Sequence, residues 1–233
     1  MESSTFHSFN LPKFRINPIK SANYNTKRLL KVCSEATKPN VIADTSQAQK
    51  TYSIEFKTLE GCKLGIWRYP IFEYNAKGGS GNGIGRETNG GIDVDFDVKK
   101  LYIPSLNGQT TRFLGLPLPP FLKIDIVPEI LRGNIDKGTG KVDLRFKSRF
   151  WFSVGSIYKA PPLLVETVLT SEQSTGAIRS GVGERMNTGG KCKLVGVAVV
   201  DPINDAFMNT FLRLPTECIA YLNAVISISQ ANC

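Results

Sequence analysis

Histidine is almost missing from this sequence: His7 stands alone among 233 residues. His7 lies in a segment read below as a leader, and a mature chain without it has no imidazole for Ser-His-Asp or Cys-His catalysis, for metal ligation or for acid–base chemistry near neutral pH. A G-x-S-x-G nucleophile elbow is also missing. The five cysteines (Cys33, Cys62, Cys192, Cys218 and Cys233) form no C-x-x-C pair. That spacing speaks against a zinc or thioredoxin-like motif and for buried free thiols, with a redox-sensing disulfide as the alternative. No apolar run reaches the roughly 18 residues that a membrane-spanning helix needs. No catalytic residue, metal site or cofactor is therefore assigned.

Glycine is abundant by contrast. The run KGGSGNGIGRETNGG, residues 77–91, invites a phosphate-loop reading. A dinucleotide loop needs glycines at i, i+2 and i+5 between a strand and a helix. Starting from Gly79, Gly81 or Gly83, the third glycine falls on Ile84, Arg86 or Thr88. No Gly-Lys-Ser/Thr follows the run either. The expectation is a long flexible loop joining two strands, with a mobile flap over a cavity as the alternative.

The net charge is +9, and residues 1–33 hold six basic residues against Glu2 alone. That segment is rich in Ser and Asn and lacks an apolar h-region, so it reads as a plastid transit peptide. Val32-Cys33-Ser34 fits a loose stromal processing site, and a mitochondrial presequence is the alternative. The expected address is the stroma or a stroma-facing membrane surface. Because much of the basic excess lies in this leader, no nucleic-acid partner is expected. Residues 34–50 read as a polar linker, 51–229 as one β-rich domain and 230–233 as a tail.

Period-two alternation starts at residue 51. Tyr52, Ile54 and Phe56 share a face; Leu64 and Ile66 oppose Trp67 and Tyr69. Ile92, Val94, Phe96 and Val98 alternate with Asp93, Asp95 and Asp97, and Val142, Leu144, Phe146 and Phe150 with Asp143, Arg145, Lys147 and Arg149. Further strands are expected at 122–127, 130–136, 163–170, 192–200 and 224–229, with a hairpin turn carried by Gly138 and Gly140. Helix is expected only within 202–223. There Ile203, Ala206, Phe207, Phe211 and Leu214 fall on one face, and Thr216 could cap a second helix. The fold class is mainly β: an antiparallel barrel or curved sandwich with one or two C-terminal helices.

The aspartate row is not a metal site, because alternate strand residues stand roughly 7 Å apart. It is expected to share a sheet face with the row Arg145, Lys147 and Arg149, as neighbours or next-but-one. The stretch RFLGLPLPPFL, residues 112–122, is apolar, yet Pro117, Pro119 and Pro120 bar it from helix and sheet interior. It is either a plug closing one end of the fold or an exposed apolar lip.

The blocks TTRFLGLPLPPFLKIDIVPEILRGNIDKGTGKVDLRF and RLPTECIAYLNAVISI resemble a conserved group of plant plastid and cyanobacterial proteins, over roughly residues 92–229. The resemblance implies a plastid role inherited with photosynthesis and carries no site residues across. The chain is also similar to plastid lipid-associated fibrillins in size and strand content. It lacks their C-terminal Tyr-Leu-Asp and Arg-Gly motif, so that family is not assigned.

The leading expectation is a non-enzymatic plastid protein binding an apolar ligand (lipid, quinone or pigment) or a membrane-associated partner at the thylakoid or envelope. Trp67, Tyr69, Phe113, Leu114, Phe121, Trp151 and Tyr158 are the candidate cavity or lip residues. One alternative is a histidine-independent isomerase or cyclase using Glu73, Glu166, Tyr69 or Tyr158. Another is an assembly factor or scaffold for photosynthetic complexes.

Overall fold

A computed structural model describes residues 50–231. The leader at 1–33, nearly all of the 34–50 linker, and the residues His7, Cys33 and Cys233 lie outside the described residues. The strands in chain order begin with β1 (Thr51–Thr58), β2 (Cys62–Ile66), β3 (Phe72–Tyr74), β4 (Ser80–Thr88) and β5 (Gly91–Phe96). There follow β6 (Thr111–Phe113), β7 (Leu116–Pro117), β8 (Leu122–Ile135), β9 (Val142–Val154) and β10 (Tyr158–Lys159). Then come β11 (Leu163–Thr170), β12 (Gln173–Thr175), β13 (Ser180–Val182) and β14 (Lys191–Val200). The helix α1 (Ala206–Leu212) precedes β15 (Thr216–Gln230).

The protein is mainly β, as its alternation predicts. Eight antiparallel strands form a ring in the order β1-β4-β5-β8-β9-β11-β14-β15, closed by β15 pairing back to β1. The long β15 serves two strands along one edge. Its residues Ala224–Gln230 pair with β1, and Cys218–Tyr221 pair with β2. From there β2, β3, β6 and β7 continue as a flap. Side chains of Ile54, Phe56, Ile92, Val94, Phe96, Leu131, Leu144, Leu194 and Ile226 pack inside the ring. A second cluster sits beneath α1 around Phe152, Leu163, Met208 and Leu212; a third lies under the flap around Cys62, Tyr74, Leu106 and Leu118.

The glycine run is not a loop. Most of it is β4, paired with β1 and β5 along its length. Gly81, Gly83 and Gly85 are buried, while Asn82, Ile84 and Arg86 are exposed. A Cβ on Gly85 would lie 2.5 Å from Ile92 and 2.7 Å from Ile54; one on Gly83 would lie 3.0 Å from Phe96. The inward positions of β4 are glycine because large side chains of β1 and β5 already fill that space.

Of the one or two C-terminal helices expected, the described residues hold one. Only α1 forms: Asp205 caps it, and Arg213 ends it in the left-handed region at φ 54°. Its inward residues are Met208 and Leu212; Phe207 and Phe211 are exposed. Asn209 sets this rotation, accepting from the Ile203 amide at 2.9 Å and donating to its carbonyl at 2.7 Å. Thr216 starts β15 instead of capping a second helix. Between β14, β1 and β2, the backbone of β15 gains ladder partners on both sides, which overrides the helical propensity of its Ala, Leu and Glu residues.

Smaller corrections follow the same logic. The two strands expected at 122–127 and 130–136 are one strand, bulged between Pro128 and Ile130 where proline cannot donate. The strand expected to carry Trp67 and Tyr69 stops at Ile66, so both residues sit in a turn. Of the two hairpin glycines, Gly140 takes the positive φ, at 73°. The aspartate and basic rows do lie next-but-one on the outer face, through Asp95↔Arg132 and Arg132↔Arg145. The ion partners of the basic row come from elsewhere: Arg145 meets Glu166, and Lys147 and Arg149 meet Glu129.

Candidate functional site

Pairings such as Ile66↔Cys218, Val200↔Thr216, Leu163↔Phe150 and Leu122↔Val154 bring many chain turns to the same end of the molecule. This end, called the α1 end, receives the 67–71 turn, the β6–β7 hairpin, the approach to β8, the β9–β10 turn and α1. Rings chain across it. Phe72 stacks on Phe113 at 4.6 Å, and Tyr69 lies 6.5 Å from Phe113 and 5.8 Å from Phe211. Phe211 stacks on Phe207 at 5.7 Å and lies 6.1 Å from Phe152; Phe207 is 5.3 Å from Tyr158. Three of the sequence candidates, Tyr69, Phe113 and Tyr158, are thus joined in one aromatic belt.

Both tyrosine hydroxyls have structural partners. Tyr69 Oη donates to the Phe211 carbonyl at 2.5 Å. Tyr158 Oη donates to Asp205 Oδ2 at 2.7 Å, while Asp205 Oδ1 accepts from the Met208 amide at 2.8 Å. Desolvation, with the Asp205 carboxylate as a second cause, pushes the Tyr158 phenol up to about 12. The capping amide of Met208 and then Tyr158 hold Asp205 below the usual carboxylate range. Glu166 is exposed and held by Arg145, and Glu73 is exposed opposite Lys63 and Arg112. The four acid–base candidates do not converge on one cavity.

The 67–71 turn is fixed by a clamp. Glu217 accepts from the amides of Ala177, Ile178 and Arg179 at 2.6, 2.8 and 2.7 Å. The Arg179 guanidinium then donates to the carbonyls of Ile66 and Trp67 at 3.0 and 3.2 Å.

Beyond the belt stand exposed apolar tips. Leu114 is 71% exposed, Leu116 70%, Phe121 79% and Ile157 90%. In the proline-rich stretch Leu118 is buried in the cluster under the flap, while Leu114, Leu116 and Phe121 are exposed. Trp67 lies at the turn beneath the Arg68 guanidinium, 3.8 Å from its ring centroid. Trp151 is separate from the belt. It borders an outer depression of about 580 Å³ with Tyr102, Asp125 and Lys159. A larger outer groove of about 1300 Å³ is lined by Arg86, Asp93, Asp95, Arg132 and Arg145 together with Ile84, Val94 and Phe96.

Sequence reasoning missed Ile157, Phe207 and Phe211. Ile157 had a signal, since an isoleucine beside Gly155-Ser156 sits in turn chemistry with nothing to bury it. Phe207 and Phe211 carry the spacing of one apolar helix face, yet both are exposed while Met208 and Leu212 turn inward.

The described residues together define an antiparallel, mainly β protein with one helix, which lies at this extremity. Compared with known proteins, the chain matches no family model, no curated relative and no solved structure.

Proposed function

We propose that this chain is a non-enzymatic binding protein that uses its α1 end to engage an apolar ligand, such as a lipid, quinone or pigment, or a membrane-associated partner. The observation that carries this reading is the convergence of exposed Leu114, Leu116, Phe121 and Ile157 beyond one aromatic belt. Scattered apolar residues are ordinary on a protein surface, whereas several gathered on one extremity mark a contact. The acid-poor, basic residues 1–33 support delivery to a plastid, facing the stroma or a stromal membrane surface. Native mass spectrometry and lipid extraction of the purified protein, with liposome binding beside them, test the reading. It fails if no ligand or partner co-purifies and liposomes are ignored.

A second reading, an assembly factor or scaffold for photosynthetic complexes, draws on the packing inside the ring. There Phe56, Phe96, Leu131 and Leu144 occupy the space a ligand would need. Recovery of a stoichiometric protein complex lost on changing Leu114 and Leu116 would favour it.

A further inference from the structure

We propose that the α1 end docks on the interfacial layer of an anionic lipid bilayer, with Phe121 and Ile157 as its deepest side chains. The inference rests on the reading above and narrows it to one occupant.

Four observations point to a lipid surface. First, the tips belong to different connections. Leu114 and Leu116 sit on the β6–β7 hairpin, Phe121 on the approach to β8, Ile157 on the β9–β10 turn and Phe207 on α1. They belong to separate connections and are each largely exposed, an arrangement that suits a medium moulding around each of them. Second, the tips are held in place. The Gly155 amide donates to the Phe121 carbonyl at 2.9 Å, and the Ile157 amide to Val154 at 3.1 Å. Pro119 and Pro120 fix the backbone just before Phe121. A pre-ordered tip loses little conformational freedom on insertion.

Third, rings with polar ends lie behind the tips, as at a headgroup layer. Trp67 carries Arg68 over its face, and Lys159 stands 5.1 Å from the Trp151 ring centroid. Long basic side chains in such positions lay their stems on apolar surface and keep the charge at the headgroups. Fourth, the charge is complementary to anionic lipid. Arg68, Arg112, Lys123, Lys159 and Arg213 stand at this end with Glu73, Asp125, Asp201 and Asp205. Three of those acids face partners. Lys123 and Ser105 hold Asp125 at 2.8 and 2.6 Å, Tyr158 and the α1 cap hold Asp205, and Glu73 faces Arg112 across the ladder. Five bases against four acids leave the rim a small cationic excess.

The test is flotation of the full chain with phosphatidylcholine vesicles made with and without phosphatidylglycerol. The expected result is binding to the anionic vesicles, weakened by salt and weaker still without phosphatidylglycerol. The double variant Phe121→Glu with Ile157→Glu lowers the partition coefficient by about tenfold or more, since both apolar anchors are lost. Both positions are exposed, so thermal unfolding of the variant stays near that of the parent. Ile84→Glu, an exposed apolar position on β4, leaves partitioning unchanged. In a Trp151→Phe background, quenching of tryptophan emission by lipids brominated near the headgroup reports Trp67 at the interface. Failure to float with either vesicle overturns the inference, as does retention by the double variant or an equal loss in Ile84→Glu. If vesicles are ignored while an apolar ligand or a protein complex co-purifies, the lipid surface is excluded and the broader reading stands. If nothing binds, both fall.

Discussion

Glu217 and Arg179 hold each other through backbone and side chain in turn: the Glu217 carboxylate accepts the Arg179 amide at 2.7 Å, and the Arg179 guanidinium reaches on to the Ile66 carbonyl at 3.0 Å. Glu217 also takes the amides of Ala177 and Ile178, and its own carbonyl accepts the Trp67 amide at 2.9 Å. One buried acid thereby ties the segment before β13 to the turn that carries Trp67 and Tyr69.

The first prediction concerns that acid. The amide of Arg179 is the largest cause of a Glu217 pKa below the ordinary glutamate range, with Ile178 and Ala177 adding to it. A folded-state pKa depressed below the unfolded one gives stability that is present above the unfolded value of about 4.3 and lost as pH falls through the folded value. Glu217→Gln keeps the shape but removes the charge that three amides point at. The thermal midpoint of the variant is expected several degrees lower at pH 7, with the gap closing on acidification. A gap that does not change with pH would assign the loss to shape alone.

A second prediction tests the packing of β4. Gly85→Ala introduces a Cβ 2.5 Å from the Ile92 methyl and 2.7 Å from that of Ile54, both inside the ring. Overpacking of this kind costs about 1–3 kcal/mol. Asn82→Ala, on the exposed side of the same strand, should stay within about 0.5 kcal/mol of the parent. Urea midpoints measured in parallel decide the matter. Equal midpoints would mean that β4 is not seated as described.

These glycines show where sequence alone misleads. Ile92, Val94 and Phe96 alternate with aspartates and announce their strand, because the contrast between core and solvent is written in the residues themselves. The glycine run has no such contrast. Its inward face is defined by the volume of Ile54, Ile92 and Phe96 on neighbouring strands, and only the register reveals that complement. β15 was obscured for a related reason, since its partners β1, β2 and β14 lie far away in sequence. The lip was legible because prolines bar an apolar segment from helix and from the interior of a sheet. The belt was not. Tyr69, Phe113, Tyr158 and Phe211 meet only once the strands are ordered.

The third prediction concerns the outer face. Arg145 donates to Glu166 Oε1 from Nε at 3.0 Å and from Nη2 at 2.6 Å, with Arg132 beside it in the ladder. The pair is about half exposed, so solvent screening keeps its contribution small. Arg145→Glu sets a second carboxylate against Glu166 and should destabilise more than Lys77→Glu, which lies in an exposed turn. The difference should shrink at high ionic strength. Matching urea midpoints for the two variants would remove the pair as a determinant of register.

The cysteines supply the last prediction. Cys62 and Cys192 are buried and Cys218 is half-buried, each as a free thiol. Burial pushes the Cys192 thiol up to about 12 and Cys218 up to about 11; it also raises Cys62, against the opposing backbone contact at Asn223. Only the thiolate attacks a disulfide reagent, so these sulfurs need both an opened structure and an unfavourable ionisation before they react. In the native protein at pH 8, labelling of Cys62, Cys192 and Cys218 should be slow, and peptide mapping should find them modified only after denaturant is added. Gly190→Ala would place a Cβ 2.3 Å from the Ile226 carbonyl beside the β14–β15 pair and should speed labelling of Cys192 by loosening its cover. Rapid labelling of Cys192 in the folded parent would mean that the ring opens locally at β14, and the packed interior described for this half of the protein would have to be given up.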